Sequence, residues 1–227
     1  MPKKAGDSLY NWGTKTLLKS FLFWFIAILL LIFGIYLSSS KSSLYKTIGY
    51  VVIVLPFIFY GVINKILLPK YDRIDYGYKG EKEVGKILDS LTDDFKIVHD
   101  IFVDKWNIDH LVIGPTGVYT IETKNHKGVI TNDRDVLLIN DKLFEKNIIN
   151  QALSEAFYIK EKIEKSLGIK MFIKPVIVFA NPKTYVKANE VKGVKVLSIR
   201  MLKDYLMKNR TVLNSNYIEK IYSIFKN

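Results

Sequence analysis

Two long apolar runs near the N-terminus constrain this chain more than any other feature. Phe21–Leu37 (FLFWFIAILLLIFGIYL) is 17 residues without a charge, and Ile48–Leu68 holds a single charge, Lys65, near its end. As a helix the first run spans about 26 Å, close to the thickness of a hydrocarbon core. Lys65 has a side chain long enough to snorkel toward headgroups, and Trp24, Tyr36, Tyr45 and Tyr50 sit where an aromatic belt is expected. Pro56 is expected to kink the second helix, which membrane helices tolerate. The runs are joined by SSSKSSLYKT, short enough only for a hairpin turn. Transmembrane helices are therefore expected at about 21–38 and 48–68. A secretory signal is the competing reading of the first run. It is disfavoured by the run's length, by the lack of an A-x-A pattern and by the second run that follows at once.

Flanking cations give the orientation. Lys3, Lys4, Lys15 and Lys19 precede the first run, and Lys65, Lys70 and Arg73 end or follow the second, whereas the connecting loop holds only Lys41 and Lys46. The positive-inside bias puts both termini in the cytoplasm. The expected organisation is a membrane hairpin, residues 1–69, followed by a cytoplasmic domain, residues 70–227. The formal net charge is +12. Such an excess suits polyanions, whether nucleic acid or anionic lipid, as well as a plain solvated surface. The chain has no cysteine, which excludes disulfides, thiol nucleophiles and Cys-ligated metals.

After Pro69 the pattern becomes that of an α/β domain. Val84, Ile87, Leu88 and Leu91 recur at helical spacing within Tyr78–Leu91. Strands are expected at Phe95–Val98, Ile101–Val103, Ile108–Ile113 and Val118–Lys124, the last two joined by a Gly-Pro-Thr-Gly turn. A hairpin around Asn132-Asp133 follows, then a helix from about Ile148 to Leu167 with Gly168 at C′. Strands at Pro175–Ala180 and Val194–Ile199 and helices at Met201–Lys208 and Asn216–Phe225 complete the order.

Four residues are candidates for chemistry. Glu122 and Lys124 are two apart on one strand and share a face, while Thr123 between them points the other way. Asp109 lies on the neighbouring hairpin strand. Glu81 stands on the apolar stripe of the first helix, where an isolated charge is costly without a partner or a metal. Two carboxylates and a lysine can hold a hard cation such as Mg²⁺, which keeps several waters. E-x-K alone is too common a spacing to decide for that over a surface ion pair. Alternation points His110 away from Asp109. His99 and His126 lack a ligand-spaced partner, and Trp106 reads as packing. Lys183, Lys187, Lys192, Lys195 and Arg200 form a basic segment that suits phosphates or a solvated loop.

The stretch from about Tyr76 to Asn181 resembles the nuclease-related domain (NERD) family of the PD-(D/E)xK nuclease-like superfamily. The matching residues are Gly77-Tyr-Lys-Gly80-Glu81, Ile108-Asp109-His-Leu-Val-Ile-Gly-Pro-Thr-Gly117, Val118-Tyr-Thr-Ile-Glu122-Thr-Lys124-Asn125, Asn147 and Gln151, and Val176-Ile-Val-Phe179. Ile148 stands where the family usually has Pro. The resemblance implies a restriction-endonuclease-like mixed sheet flanked by helices, here preceded by two transmembrane helices. It implies Mg²⁺ or Mn²⁺ on Asp109, Glu122 and the Thr123 carbonyl, with Glu81 in support, Lys124 as the catalytic lysine and Gln151 orienting water or phosphate. Nucleic acid, DNA ahead of RNA, is the implied substrate. A Lys124→Ala change is then expected to abolish cleavage and to leave the fold intact, as on an exposed strand. A non-catalytic membrane-tethered module that binds nucleic acid or protein, or a scaffold for other envelope proteins, remains open beside the enzyme.

Overall fold

The structure, a computed structural model, describes residues 3–103, 106–208 and 210–226, so the outermost residues of both expected domains, 1–2 and 227, lie outside it. Two compact units divide the chain: Ser8–Tyr76, and the described residues of Met1–Asp7 with Gly77–Asn227.

The first unit is built from α1 (Asp7–Ser38), α2 (Ser43–Val62), a π-helical turn (Ile63–Leu67) and the start of α3 (Leu68–Asp89). Both helical stretches are long and apolar enough to cross a membrane. Helix α1 begins well before the apolar run, and its 32 residues are about 48 Å long. Its buried face carries small residues seven apart, Gly13, Ser20, Ala27 and Gly34. Lipid offers no hydrophobic gain for helix association, so membrane helices pair through close backbone approach at such residues. The approach is tight here: a Cβ on Gly49 would stand 2.5 Å from the Ser38 nitrogen and 2.8 Å from the Gly34 carbonyl oxygen. Large side chains such as Phe21, Phe25, Ile32, Phe57 and Ile58 point outward and are exposed.

Helical hydrogen bonding runs through Pro56 and past Pro69, which the sequence suggests as a boundary. The ladder widens just before Pro69, where the Leu68 N–H reaches the Ile63 carbonyl. A proline has no N–H to continue the ladder, and a π turn accommodates that loss.

The second unit has a six-stranded sheet in the order β1-β2-β3-β7-β10-β9. Its strands are β1 (Lys96–Val103), β2 (Trp106–Gly114), β3 (Gly117–Lys124), β7 (Ile173–Phe179), β10 (Val194–Ser198) and β9 (Glu190–Val191). The pairs β1-β2 and β2-β3 are antiparallel, while β3-β7 and β7-β10 are parallel. A four-stranded sheet, β6-β5-β4-β8, comprises β4 (Gly128–Asp133), β5 (Val136–Ile139), β6 (Lys142–Leu143) and β8 (Thr184–Val186). The helices are the rest of α3, α4 (Ile148–Leu167), α5 (Ile199–Met207) and α6 (Ser215–Phe225). This is the mixed sheet flanked by helices that the sequence leads one to expect.

Strand alternation sorts the two faces. Val112, Tyr119, Ile121, Val176 and Val178 pack against Val84 and Leu88 of α3 and Leu202 and Leu206 of α5. Leu111, Ile113 and Val118 face Ile159 and Ile163 of α4 and Ile221 of α6. Asp109 is in phase with Leu111, and Glu122 and Lys124 are in phase with Val118. All three therefore belong to the α4 face.

Candidate functional site

The β2-β3 ladder pairs His110 with Ile121, so the next rung sets Asp109 opposite Glu122. The tight turn between Gly114 and Gly117 brings these carboxylates together at the end of the hairpin. The Thr123 N–H donates to Asp109 Oδ2 at 2.7 Å. Thr123 thus acts at the site through its backbone, and its side chain lies buried on the other face. Glu122 is 3% exposed, and its Oε1 accepts from Lys124 Nζ. Lys124 also reaches Gln151 Oε1 at 3.4 Å.

Gln151 is placed by a helix cap. The Asn147 side chain accepts from the Asn150 N–H at 3.1 Å, which satisfies a free donor in the first turn of α4. An Asn four residues before the Gln therefore starts the helix that presents it. Glu81 arrives from α3, buried as expected, with Lys79, Lys82, Glu83 and Lys86 exposed. Its neighbour Gly80 permits the approach: a Cβ there would stand 2.7 Å from the Asn125 Cβ, just beyond β3. Glu81, Asp109, Glu122, Lys124 and Gln151 are therefore brought to one place.

Two acidic residues join them that the sequence reading missed. Glu155, one turn beyond Gln151 and 1% exposed, accepts from Gln151 Nε2 at 3.0 Å. It interrupts the buried stripe Ile148, Ala152, Ala156 and Ile159 just as Glu81 interrupts that of α3, and the same argument would have found it. Asp100 had no such signal. It lies in β1 where the ladder skips a rung, opposite Asp109, at φ 55° and 3% exposed. Asn107 Nδ2 donates to its Oδ1 at 2.8 Å.

The electrostatics follow from crowding carboxylates around one ammonium. Burial, then Glu122 and Asp100, push the Glu81 carboxyl up to about 8. Burial, then Glu122 and Glu81, hold Asp109 well above the usual carboxylate range. Burial, then Glu122 and Asp109, do the same to Glu155. Burial opposes the charge on Lys124, but Glu122, Asp109 and Glu155 outweigh it and its pKa is raised. Lys124 is accordingly a fixed cation rather than a base. It is also half-buried and ion-paired with Glu122, so this is not the exposed strand on which an alanine would be harmless.

Among the described residues no three Asp, Glu or His side chains are closed into an arrangement that could hold a metal ion. Glu122 closes instead on the Lys124 ammonium. The donor set nonetheless suits a hard cation, for it is all oxygen, its acids outnumber its lysine, and the buried Glu122 Oε2 meets no donor. Asp109 and Glu122 could hold such an ion, with Glu81 beside them.

The other candidates fall elsewhere. His110 turns to the α3 face, where its Nδ1 meets His99 Nδ1 at 2.8 Å, and His99 Nε2 meets Asp89 at 3.0 Å. The His126 ring packs on Phe144 and Trp106 packs edge-on against Tyr158. In the basic segment Lys192 pairs with Asp135, and Lys195 donates to Asn189.

Residues 76–180 match the nuclease-related domain, NERD. The match covers a little under half of the chain and takes in every site residue from Glu81 to Glu155. An uncharacterized protein of Bacillus anthracis is 34% identical over 76 residues, which cover 31% of this chain and 36% of that protein. The chain thus spans about a third of the length of the curated relative it matches. No solved structure matches it. The NERD segment contains β1 to β7 and α4, the elements that build the site.

Proposed function

We propose that this protein is a membrane-anchored, metal-dependent nuclease that hydrolyses phosphodiester bonds of nucleic acid, DNA ahead of RNA, at the cytoplasmic face of the membrane. The observation that carries the reading is the meeting of Asp109, Glu122 and Lys124 at the end of one hairpin, inside the segment that matches NERD. Mg²⁺ or Mn²⁺ would be held by Asp109, Glu122 and the Thr123 carbonyl with Glu81 in support, and when bound would polarise the phosphodiester and acidify a water. Lys124 stays protonated, so it orients that water and offsets the charge developing on the phosphate. Gln151 holds Lys124 in place, and the Thr123 N–H fixes Asp109.

The anchoring half of the reading rests on the hairpin. Its outward apolar side chains suit lipid, and its small inward residues suit helix pairing in lipid. The cations at both ends favour cytoplasmic termini.

Full-length protein in detergent, beside Lys124→Met, tests the reading on plasmid, single-stranded DNA and RNA in Mg²⁺, Mn²⁺ or EDTA. Cleavage that needs the metal and falls about 100-fold or more in the folded variant is the expected result. Wild-type rates in that variant would remove Lys124 from the chemistry. One observation favours a second reading, a module that binds without turnover: Glu122 is closed on the Lys124 ammonium. Salt-dependent binding with no product on any substrate would decide for it.

A further inference from the structure

Glu155 is the most buried acid at the site, and the chemistry at Asp109, Glu122 and Lys124 leaves it without a task. Glu155 is 1% exposed and lies on the stripe of α4 that otherwise holds Ile and Ala. An apolar side chain there would avoid the cost of a buried charge. Its two oxygens have different fates. Oε1 is pinned by Gln151 Nε2 at 3.0 Å, while Oε2 is buried and meets no donor. Glu122 repeats the arrangement, with Oε1 on Lys124 and Oε2 buried and bare. The two carboxyl groups face each other closely enough for a hydrogen bond, which needs a proton on one of them. A cation between them would take that proton's place. Gln151 matters here as well: its amide N–H donates to Glu155 and its carbonyl accepts from Lys124, so one amide sets both groups.

Resting on the nuclease reading, we propose that Glu155 is a further ligand of the divalent cation, its bare Oε2 completing from α4 the oxygen set begun by Asp109 and Glu122. This makes the site a three-carboxylate one and ties metal loading to helix α4. Lys124, which pairs with Glu122, would share that carboxylate with the ion.

The test measures Mn²⁺ itself rather than turnover. Full-length wild-type protein in detergent is titrated with Mn²⁺, the free ion being read by electron paramagnetic resonance. Glu155→Gln, Glu155→Asp and the exposed-face control Glu161→Gln are titrated beside it. Glu155→Gln is expected to weaken binding about tenfold or more, without lowering the melting temperature in EDTA, while Glu161→Gln binds as wild type. A purely structural Glu155 would instead lower that melting temperature and leave the affinity of the folded fraction alone. Should Glu155→Gln not fold, Glu155→Asp is read instead, and a folded Asp variant with affinity within about twofold of wild type overturns the proposal. Wild-type binding with an unchanged Glu155→Gln affinity overturns this inference alone. A wild type that binds no Mn²⁺ overturns it together with the nuclease reading.

Discussion

The side chains at the end of β2 and β3 store repulsion, and that has a measurable sign. Burial, then the neighbouring acids, push the Glu81 carboxyl of the folded chain up to about 8 from an ordinary 4.5. Between those values the folded state holds a proton that the unfolded state has released. Its contribution is complete below about 4.5 and is lost as pH rises through 8. Asp109 and Glu155 shift in the same direction and add to the loss. Thermal unfolding in EDTA is therefore expected to show a lower melting temperature at pH 9 than at pH 6. Glu81→Gln should remove part of that drop and stand above wild type at pH 9. A melting temperature that is flat with pH in wild type would mean that the acids are not crowded. Lys124 is the counterpart: truncating one partner of a buried pair leaves an uncompensated charge. Lys124→Ala is expected to cost about 3 kcal/mol at pH 8 in EDTA, read by denaturant unfolding. A cost near zero would return Lys124 to the exposed strand that the sequence alone suggested.

At the scale of elements, the hairpin makes its own prediction. Gly49 has no room for a side chain, whereas a Cβ on Gly61 would meet nothing within 4 Å. Gly49→Leu is expected to destabilise the detergent-solubilised hairpin by about 1–3 kcal/mol through overpacking, and Gly61→Leu to leave it unchanged. Equal heat resistance of the two variants would place the helix contact elsewhere. Much of this architecture is legible in the sequence, for physical reasons that also set the limits. Helix α4 runs from Ile148 to Leu167 as its period and its left-handed Gly168 indicate, and β3 follows from alternation after a Gly-Pro-Thr-Gly turn. The strands β8 and β9 have three and two residues, too few to make a pattern. The β4-β5 turn falls at Arg134, which takes φ 47°, rather than at Asn132-Asp133, which pair within the ladder. Pro69 does not end its helix because the π turn beside it absorbs the missing donor. The site divides the same way. Glu81 is readable because it breaks an apolar stripe, while Asp100 is not, because a skipped rung in a ladder leaves no periodic trace.

On the scale of the whole molecule, the reading requires that the site and the hairpin loop lie on opposite sides of a bilayer. Charge argues for it. The segments before Phe21 and from Lys65 to Arg73 hold seven Lys or Arg, against two in the loop between the runs. Such an asymmetry sets orientation when loops are short. The chain's lack of cysteine makes the test clean, since any introduced thiol is the only one present. Ser42 in the loop and Lys165 on α4 are both exposed, so each accepts a cysteine without disturbing a core. In intact cells a membrane-impermeant maleimide is expected to label Ser42→Cys at once, and Lys165→Cys only after the membrane is opened. Such a result confines cleavage to nucleic acid that reaches the inner membrane surface. The reverse pattern would put the carboxylates outside, where the substrate would have to be extracellular nucleic acid. Labelling of both thiols in intact cells would mean that the apolar runs do not span, and the anchoring half of the proposal would fall while the chemistry at Asp109, Glu122 and Lys124 stood.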